Sequence, residues 1–190
     1  SDDTLSDKIS AFIGNNGAVN ANGNISVDAN EKTTANAISG TVAAGGAAVG
    51  GSVLVGTFNA TTESYVDSLV SSDANVGISA KNEISTGDNG YQAIAGSAGV
   101  VGIGASVSYL DITGKVAAYL GSDATLSAGG NLDVNAELSI NSNPKTSSAT
   151  VGGGAVGISS ARTVISGETF AGMLVGAKLE KANNANVKAH

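Results

Sequence analysis

The sequence predicts an all-β chain, a parallel β-helix (β-solenoid) built from repeats of about 53 residues, and three observations carry that reading. First, short stretches alternate apolar and polar residues. In Gly130–Ala136 (GNLDVNA), Leu132 and Val134 take one face while Asp133 and Asn135 take the other, the period of a half-buried strand. Second, the pattern recurs. Gly23–Ala29 (GNISVDA) repeats it, and Phe12, Gly14 and Asn24 stand to Tyr119, Gly121 and Asn131 at one constant offset of 107 residues. Third, three uncharged blocks, Ala37–Phe58, Ala93–Leu110 and Ala149–Ala161, superpose on Val49-Gly50, Val101-Gly102 and Val156-Gly157. Their spacings are 52 and 55 residues, half of that offset.

The chain reads as a single segment, residues 1–190, of a larger repeat protein, with units at approximately 9–58, 59–111, 112–166 and 167–190. Residues 1–8 are polar and are expected to be ragged, with Ser1-Asp2-Asp3 an artificial start and no signal peptide in view. Unit one runs AFIG, a turn at Asn15-Asn16-Gly17, the GNISVDA strand, the polar loop Asn30–Asn36, and its uncharged block. A second polar connection, Asn59–Ser64, leads to Tyr65-Val66-Asp67, the counterpart of Tyr119-Leu120-Gly121. About four extra residues then precede Asp73-Ala74-Asn75-Val76, and Asn82–Thr86 (NEIST) stands as a degraded counterpart of GNLDVNA. Gly87-Asp88-Asn89-Gly90 marks a turn. In unit four, Ala177–Ala189 aligns with Ala124–Ala136, and Gly172 falls where an aromatic is expected. The one candidate helix, Phe170–Lys181, aligns with strand-forming parts of the repeat, and Gly, Val, Thr and Asn are too frequent for helices elsewhere.

Strands of this kind cannot bury their apolar faces within one unit, but stacked units do so, with coils about 4.8 Å apart. Each unit is long enough for two or three coils of three short strands. Val, Ile, Leu and Ala then fill interior columns. Asn and Gly suit the corners, where both tolerate left-handed backbone, and Asn side chains can bond to one another from coil to coil.

Composition narrows the function. Aromatics make up 4% of residues, there is no Trp, and 27 residues are Gly, so thin regular stacks suit the chain better than one broad core. The net charge of −7 and scattered Lys leave no basic cluster for nucleic acid. Zero Cys excludes disulfides and thiolate metal sites. The uncharged blocks approach the length of a membrane span. Their Gly and Ser, and their recurrence on the repeat period, argue for strands, so no membrane insertion is expected. In Val101–Tyr109 (VGIGASVSY) such a strand has one bulky face and one very small one.

The residues Ala118-Tyr119-Leu120-Gly121, Ala124, Leu126, Ala128, Gly130, Leu132, Val134 and Ala136, and likewise Ala11-Phe12-Ile13-Gly14 through Ala29, form units that resemble those of bacterial surface adhesins of the filamentous-haemagglutinin type, especially leukotoxin-like filamentous adhesins. The resemblance covers nearly the whole chain, with departures at Ser68–Ser72 and Gly172. It implies a right-handed β-helix, part of a rod-like shaft, in a large protein exported unfolded and displayed on the cell surface or secreted. Such a module would have a structural and adhesive role, with host-cell or glycan contacts.

No catalytic, cofactor-binding or metal-binding residue is assigned, no cofactor is implied, and no enzyme activity is expected. The only His, His190, is the last residue, so neither a Ser-His-Asp triad nor a metal-His site can be assembled. Asp67 and Asp73 are the nearest approach to the paired carboxylates of polysaccharide cleavage, and a solvated loop accounts for them. Asp88 in GDNG is one copy of a calcium-repeat fragment without its period. Arg162, the sole Arg, falls where Val107 stands in unit two and Val53 or Leu54 in unit one. The sequons at Asn24 and Asn59 matter only where glycosylation exists. Tyr65, Tyr91, Tyr109 and Tyr119 are the aromatics available to stack on sugars, with packing the better account of Tyr65 and Tyr119. Expected partners are a host-surface protein or glycan and the neighbouring repeats of the same chain, with the chain itself a monomer. The alternatives are a trimeric autotransporter head binding host matrix, against which the 53-residue period speaks, a β-helical polysaccharide-active enzyme, or a pore formed by the Gly/Ala blocks.

Overall fold

The computed structural model describes residues 2–190, and Ser1, read above as part of an artificial start, lies outside them. Among the described residues there are strands and no helix. Three sheets share the chain. Sheet A holds β1 (Asp2–Ile13), β4 (Ala47–Val66), β7 (Val101–Leu120) and β11 (Gly154–Met173). Sheet B holds the short strands β2 (Ala18–Ala21), β5 (Leu69–Ser72), β8 (Thr125–Ala128) and β12 (Lys178–Lys181). Sheet C holds β3 (Ile25–Ala44), β6 (Val76–Ala98), β9 (Leu132–Asn141) with β10 (Pro144–Val151), and β13 (Ala185–Ala189). All pairings are parallel, and the chain visits A, B and C in fixed rotation.

Each strand pairs with its counterpart one repeat later: Phe12 with Tyr65, Tyr65 with Tyr119, Tyr119 with Gly172. One repeat is therefore one circuit of the three sheets, not two or three coils. The short-strand expectation fails because alternation runs unbroken through the stretches taken as loops. Asn30–Asn36 lies inside the 20-residue β3 and Asn59–Ser64 inside the 20-residue β4. Asp2–Lys8, expected to be ragged, forms β1 and pairs with Val55–Thr61. The candidate helix is the end of β11, a corner with Gly176 at φ 105°, and β12.

The registers correct the alignment of unit two. The counterpart of Leu132–Ala136 is Val76–Ala80, not Asn82–Thr86. The error arises because Ser72-Asp73-Ala74 mimics Ser122-Asp123-Ala124, although the first triplet leads into sheet C and the second into sheet B. Unit two has no insertion before Asp73. Its A-to-B corner is shorter than the others, Asp67-Ser68 against Gly14–Gly17 and Gly121–Ala124. Gly87–Gly90 does fold back locally: Thr86 pairs with Ala35 and Tyr91 with Ala37, leaving those four residues opposite Asn36 alone.

Through the middle circuits side chains alternate between inside and outside, with an interruption at Gly87–Gly90. Where the three sheets meet, Val66, Val70, Val76, Ile78, Leu120, Leu126, Leu132 and Val134 form one buried cluster. Burying each such aliphatic is worth about 1.5–3 kcal/mol. A second cluster, built on Leu54, Phe58, Ile84, Tyr91, Leu110 and Ile112, lies where sheets A and C face each other as two layers. Beyond it the two sheets continue as a thin blade. Residues 37–44, 91–98 and 144–151 run outward in sheet C, turn at Gly45-Gly46, Gly99-Val100 and Gly152-Gly153, and return in sheet A as 47–54, 101–108 and 154–161.

The inner face of the blade is the small face. Gly50, Gly104 and Gly157 form one column across sheet A. A Cβ on Gly50 would run into the Gly96 carbonyl, and one on Gly104 would stand 3.0 Å from Thr150 Cγ2. Hydroxyls cross the gap: Ser52 Oγ donates to the Ser39 carbonyl at 2.8 Å, and Ser159 Oγ to Ser148 Oγ at 3.0 Å. The bulky residues Val49, Val101, Ile103, Val156 and Ile158 point outward.

Corners are joined from circuit to circuit by a column of Asn. Asn24 Oδ1 accepts the Asn75 N–H at 3.1 Å, Asn75 Oδ1 accepts the Asn131 N–H at 2.8 Å, and Asn184 Nδ2 donates to Asn131 Oδ1 at 3.0 Å. This is the ladder expected of corner asparagines, and it assigns Asn24 a structural task.

Candidate functional site

The most differentiated outer surface lies on sheet A, near its corner with sheet B. Here one position per circuit carries an aromatic ring. Phe12 stacks on Tyr65 and Tyr65 on Tyr119, both with centroids 5.2 Å apart, and Phe170 continues the column at 6.2 Å from Tyr119. Gly172 occupies the aromatic position of the last circuit by register, and Phe170, two residues earlier on the same face, leans over it. The missing aromatic is thus replaced from a neighbouring position. Interplanar angles of 7° and 6° mean that Tyr65 gives both ring faces to its neighbours, leaving only its edge outward. Parallel in-register pairing brings like residues level every 4.7–4.9 Å or so, which favours stacking of this kind.

Two ion pairs flank the column. Lys8 Nζ lies 2.9 Å from Glu63 Oε2 and Lys115 Nζ 3.1 Å from Glu168 Oε2, each joining one circuit to the next. The Glu63 carboxylate, by hydrogen bond and charge, raises the Lys8 pKa above the usual range. Burial, followed by the charge of Glu63, raises that of Tyr119. Between them the small Ala117 leaves a shallow groove of about 190 Å³, lined by Thr61, Glu63, Lys115, Glu168 and Phe170. Its chemistry is that of a polar ligand contact: hydroxyl, carboxylate and ammonium groups beside one half-exposed ring. On sheet C, Lys32–Glu83 at 2.9 Å and Lys81–Glu137 at 2.8 Å repeat the circuit-to-circuit ion pairs without aromatics.

The other singled-out residues scatter. Asp67 and Asp73 flank opposite ends of β5 and form no pair, and Asp67 Oδ1 accepts the Asp123 N–H at 3.0 Å. Asp88 is exposed on the fold-back loop, where its carbonyl accepts from Lys145 Nζ at 2.7 Å. Among the described residues no group of three His, Asp or Glu side chains could hold a metal ion. Arg162 pairs with Tyr109, which pairs in turn with Val55, two positions on from Val107, where it was expected, and its guanidinium lies 5.9 Å from the Tyr109 ring centroid. The backbone of His190 continues the ladder of β13, its N–H donating to the Ala136 carbonyl at 3.0 Å.

Tyr91 leaves the set of sugar-stacking candidates because it is wholly buried, packed edge-on against Phe58 at 6.1 Å. Sequence reading also missed Glu31, a carboxylate buried inside the stack. Its Oε2 accepts from Thr62 Oγ1 at 2.7 Å and from Asn82 Nδ2 at 3.1 Å. The signal was present: Glu31 follows Val27 and Ala29 at the inward spacing of two.

No family model, no curated protein and no solved structure matches the chain. Fold and surface together define an all-β repeat protein whose units stack in parallel register.

Proposed function

We propose that the chain is a structural and adhesive module, without catalytic activity, from a large secreted or surface-displayed bacterial adhesin, and that its stacked circuits form a right-handed parallel β-helix serving as part of a shaft. The supporting observation is that every sheet pairs each circuit only with the one before and the one after. Such a stack extends along one axis by adding circuits, needs no closed core, and repeats its outer surface each time. The aromatic column and its flanking groove then supply a recurring lateral surface for a host-surface protein or glycan.

Small-angle scattering with an absolute mass tests the architecture. A monomer is expected, with its longest dimension, about 65 Å for a 20-residue strand, lying across the stack. A compact trimer would overturn this in favour of an autotransporter-type head. Glycan-array and host-cell binding with the same chain test the adhesive role. Binding that survives Phe170→Ala and Lys115→Ala would remove the sheet A groove from it.

A further inference from the structure

The groove on sheet A is a notch with a neighbour on every side. Ala117 pairs with Glu63 on β4 and with Phe170 on β11, and on its own strand its same-face neighbours are Lys115 and Tyr119. The short Ala117 side chain therefore forms a floor among four larger residues, all of them on β4, β7 and β11. The space of about 190 Å³ falls below the roughly 300 Å³ at which pockets for drug-sized ligands begin, so it holds one ring and not an oligosaccharide. We propose that this notch binds a single neutral pyranose ring, the terminal sugar of an uncharged glycan, in preference to sialylated, sulfated or amino sugars. This names the ligand of the adhesive reading and rests on that reading.

The charges select a neutral ligand. Both carboxylates at the notch are already paired, Glu63 with Lys8 at 2.9 Å and Glu168 with Lys115 at 3.1 Å, so these groups sum to zero. Their hydrogen-bonding capacity is not used up. A carboxylate offers about four acceptor sites and an ammonium three donors, and each pair consumes one of each. Unspent acceptors and donors thus stand side by side, with the Thr61 hydroxyl, which does both, on the column of Lys8 and Lys115. A sugar hydroxyl also donates and accepts, so neighbouring hydroxyls on one ring meet both kinds without opening a pair. An anionic sugar meets only the donors, and its charge faces Glu63 and Glu168. A cationic sugar meets only the acceptors and faces Lys115. The chain as a whole, at −7, adds a field against polyanions. Phe170 supplies an apolar ring against which the C–H face of a pyranose packs while its hydroxyl rim points to the ions. Glu63, at 27% the least exposed of the charged side chains here, is held by Lys8, which fixes its oxygens before a ligand arrives.

The test is saturation-transfer NMR of the 190-residue chain with a panel of methyl glycosides. Galactoside, glucoside and N-acetylglucosaminide serve as neutral sugars, N-acetylneuraminide and a sulfated galactoside as anions, and a free-amine glucosaminide as the cation. Neutral sugars are expected to take up saturation, most strongly at the C–H protons of one face. They should do so equally at low and high salt, since no net charge is screened. Ala117→Leu fills the notch without touching a polar group and should abolish the transfer. Glu63→Ala should weaken neutral-sugar binding by about tenfold, the scale of hydrogen bonds to a charged group. Lys32→Ala, which opens an ion pair on sheet C, should bind as wild type does. Anionic or cationic sugars that bind the notch more tightly than neutral ones overturn the proposal and leave the adhesive reading standing. So does neutral-sugar binding that A117L leaves intact, and so does a chain that takes no sugar of any class but still binds host cells. A chain that binds neither sugars nor cells removes the adhesive reading as well.

Discussion

The Tyr91 ring fills the space that Gly56 leaves open on the facing sheet, and a Cβ on Gly56 would collide with the Tyr91 hydroxyl. The pair sits at the root of the blade, where the wide interior narrows to the small-residue gap. The Tyr91 hydroxyl is buried with no hydrogen-bond partner among the described residues. Gly56→Ala should therefore cost about 1–3 kcal/mol by overpacking. Tyr91→Phe alone should be neutral or slightly stabilising, because it removes an unpaired buried polar atom. In G56A the same Phe substitution should recover part of the loss. Denaturant titration of the four proteins measures this coupling, and strict additivity would contradict the contact.

Burial pushes the Tyr91 pKa up to about 12. The unfolded chain releases this proton near pH 10, while the folded chain retains it to about 12, so stability falls across that window as pH rises. The loss attributable to Tyr91 is roughly 2 kcal/mol on full passage. Tyr119, also shifted upward by burial, acts in the same direction. Denaturant midpoints at pH 9 and pH 12 should differ less in Y91F than in wild type.

Asn75 links the corner column in both directions, donating its N–H to Asn24 Oδ1 and accepting the Asn131 N–H. Asn75→Ala should cost about 1 kcal/mol through the lost acceptor, and Asn75→Asp, which keeps it, should cost less. Equal effects in urea titration would show that the side-chain oxygen is not what matters.

Glu31 should respond differently. Glu31→Ala leaves Thr62 and the buried Asn82 amide without their acceptor and should cost about 2–3 kcal/mol. Glu31→Gln retains an amide oxygen and should cost less. A stabilising E31A would mean that desolvating the carboxylate outweighs the bonds it accepts.

The glycine column of the blade predicts a ranking. Gly50→Ala meets the Gly96 carbonyl, which is backbone, whereas Gly104→Ala meets the Thr150 methyl, which can rotate. Thermal melts should show the larger loss in G50A, about 1–3 kcal/mol, and a smaller one in G104A.

How much of this was legible in the sequence depends on what period-two patterns preserve. Val49-Gly50 was superposed on Val101-Gly102, whereas it pairs with Ile103-Gly104. A slip of two leaves every side chain on its proper face, so inward and outward sets survive an error that displaced Arg162 from Tyr109. The Ser72-Asp73-Ala74 mimic misplaced a whole strand for the opposite reason: corner residues are alike because turns demand the same few types. Which face of VGIGASVSY turns inward was not legible. Apolar residues ordinarily mark the inside, and here the facing sheet comes so close that only Gly, Ser and Ala fit between the layers. The burial of Tyr91 and of Glu31 was not legible because it comes from sheet A residues far away in sequence, Gly56 and Thr62.

One circuit per repeat sets the exchange rate between chain length and reach. Each addition of about 53 residues advances the stack by only about 4.8 Å, roughly a third to a half of what two or three smaller coils would have achieved. The same chain length instead goes into breadth, two sheets with strands of about 65 Å. Lengthening such a protein multiplies like lateral surface, a new aromatic rung and a new blade layer each time, far faster than it separates the two ends of the stack.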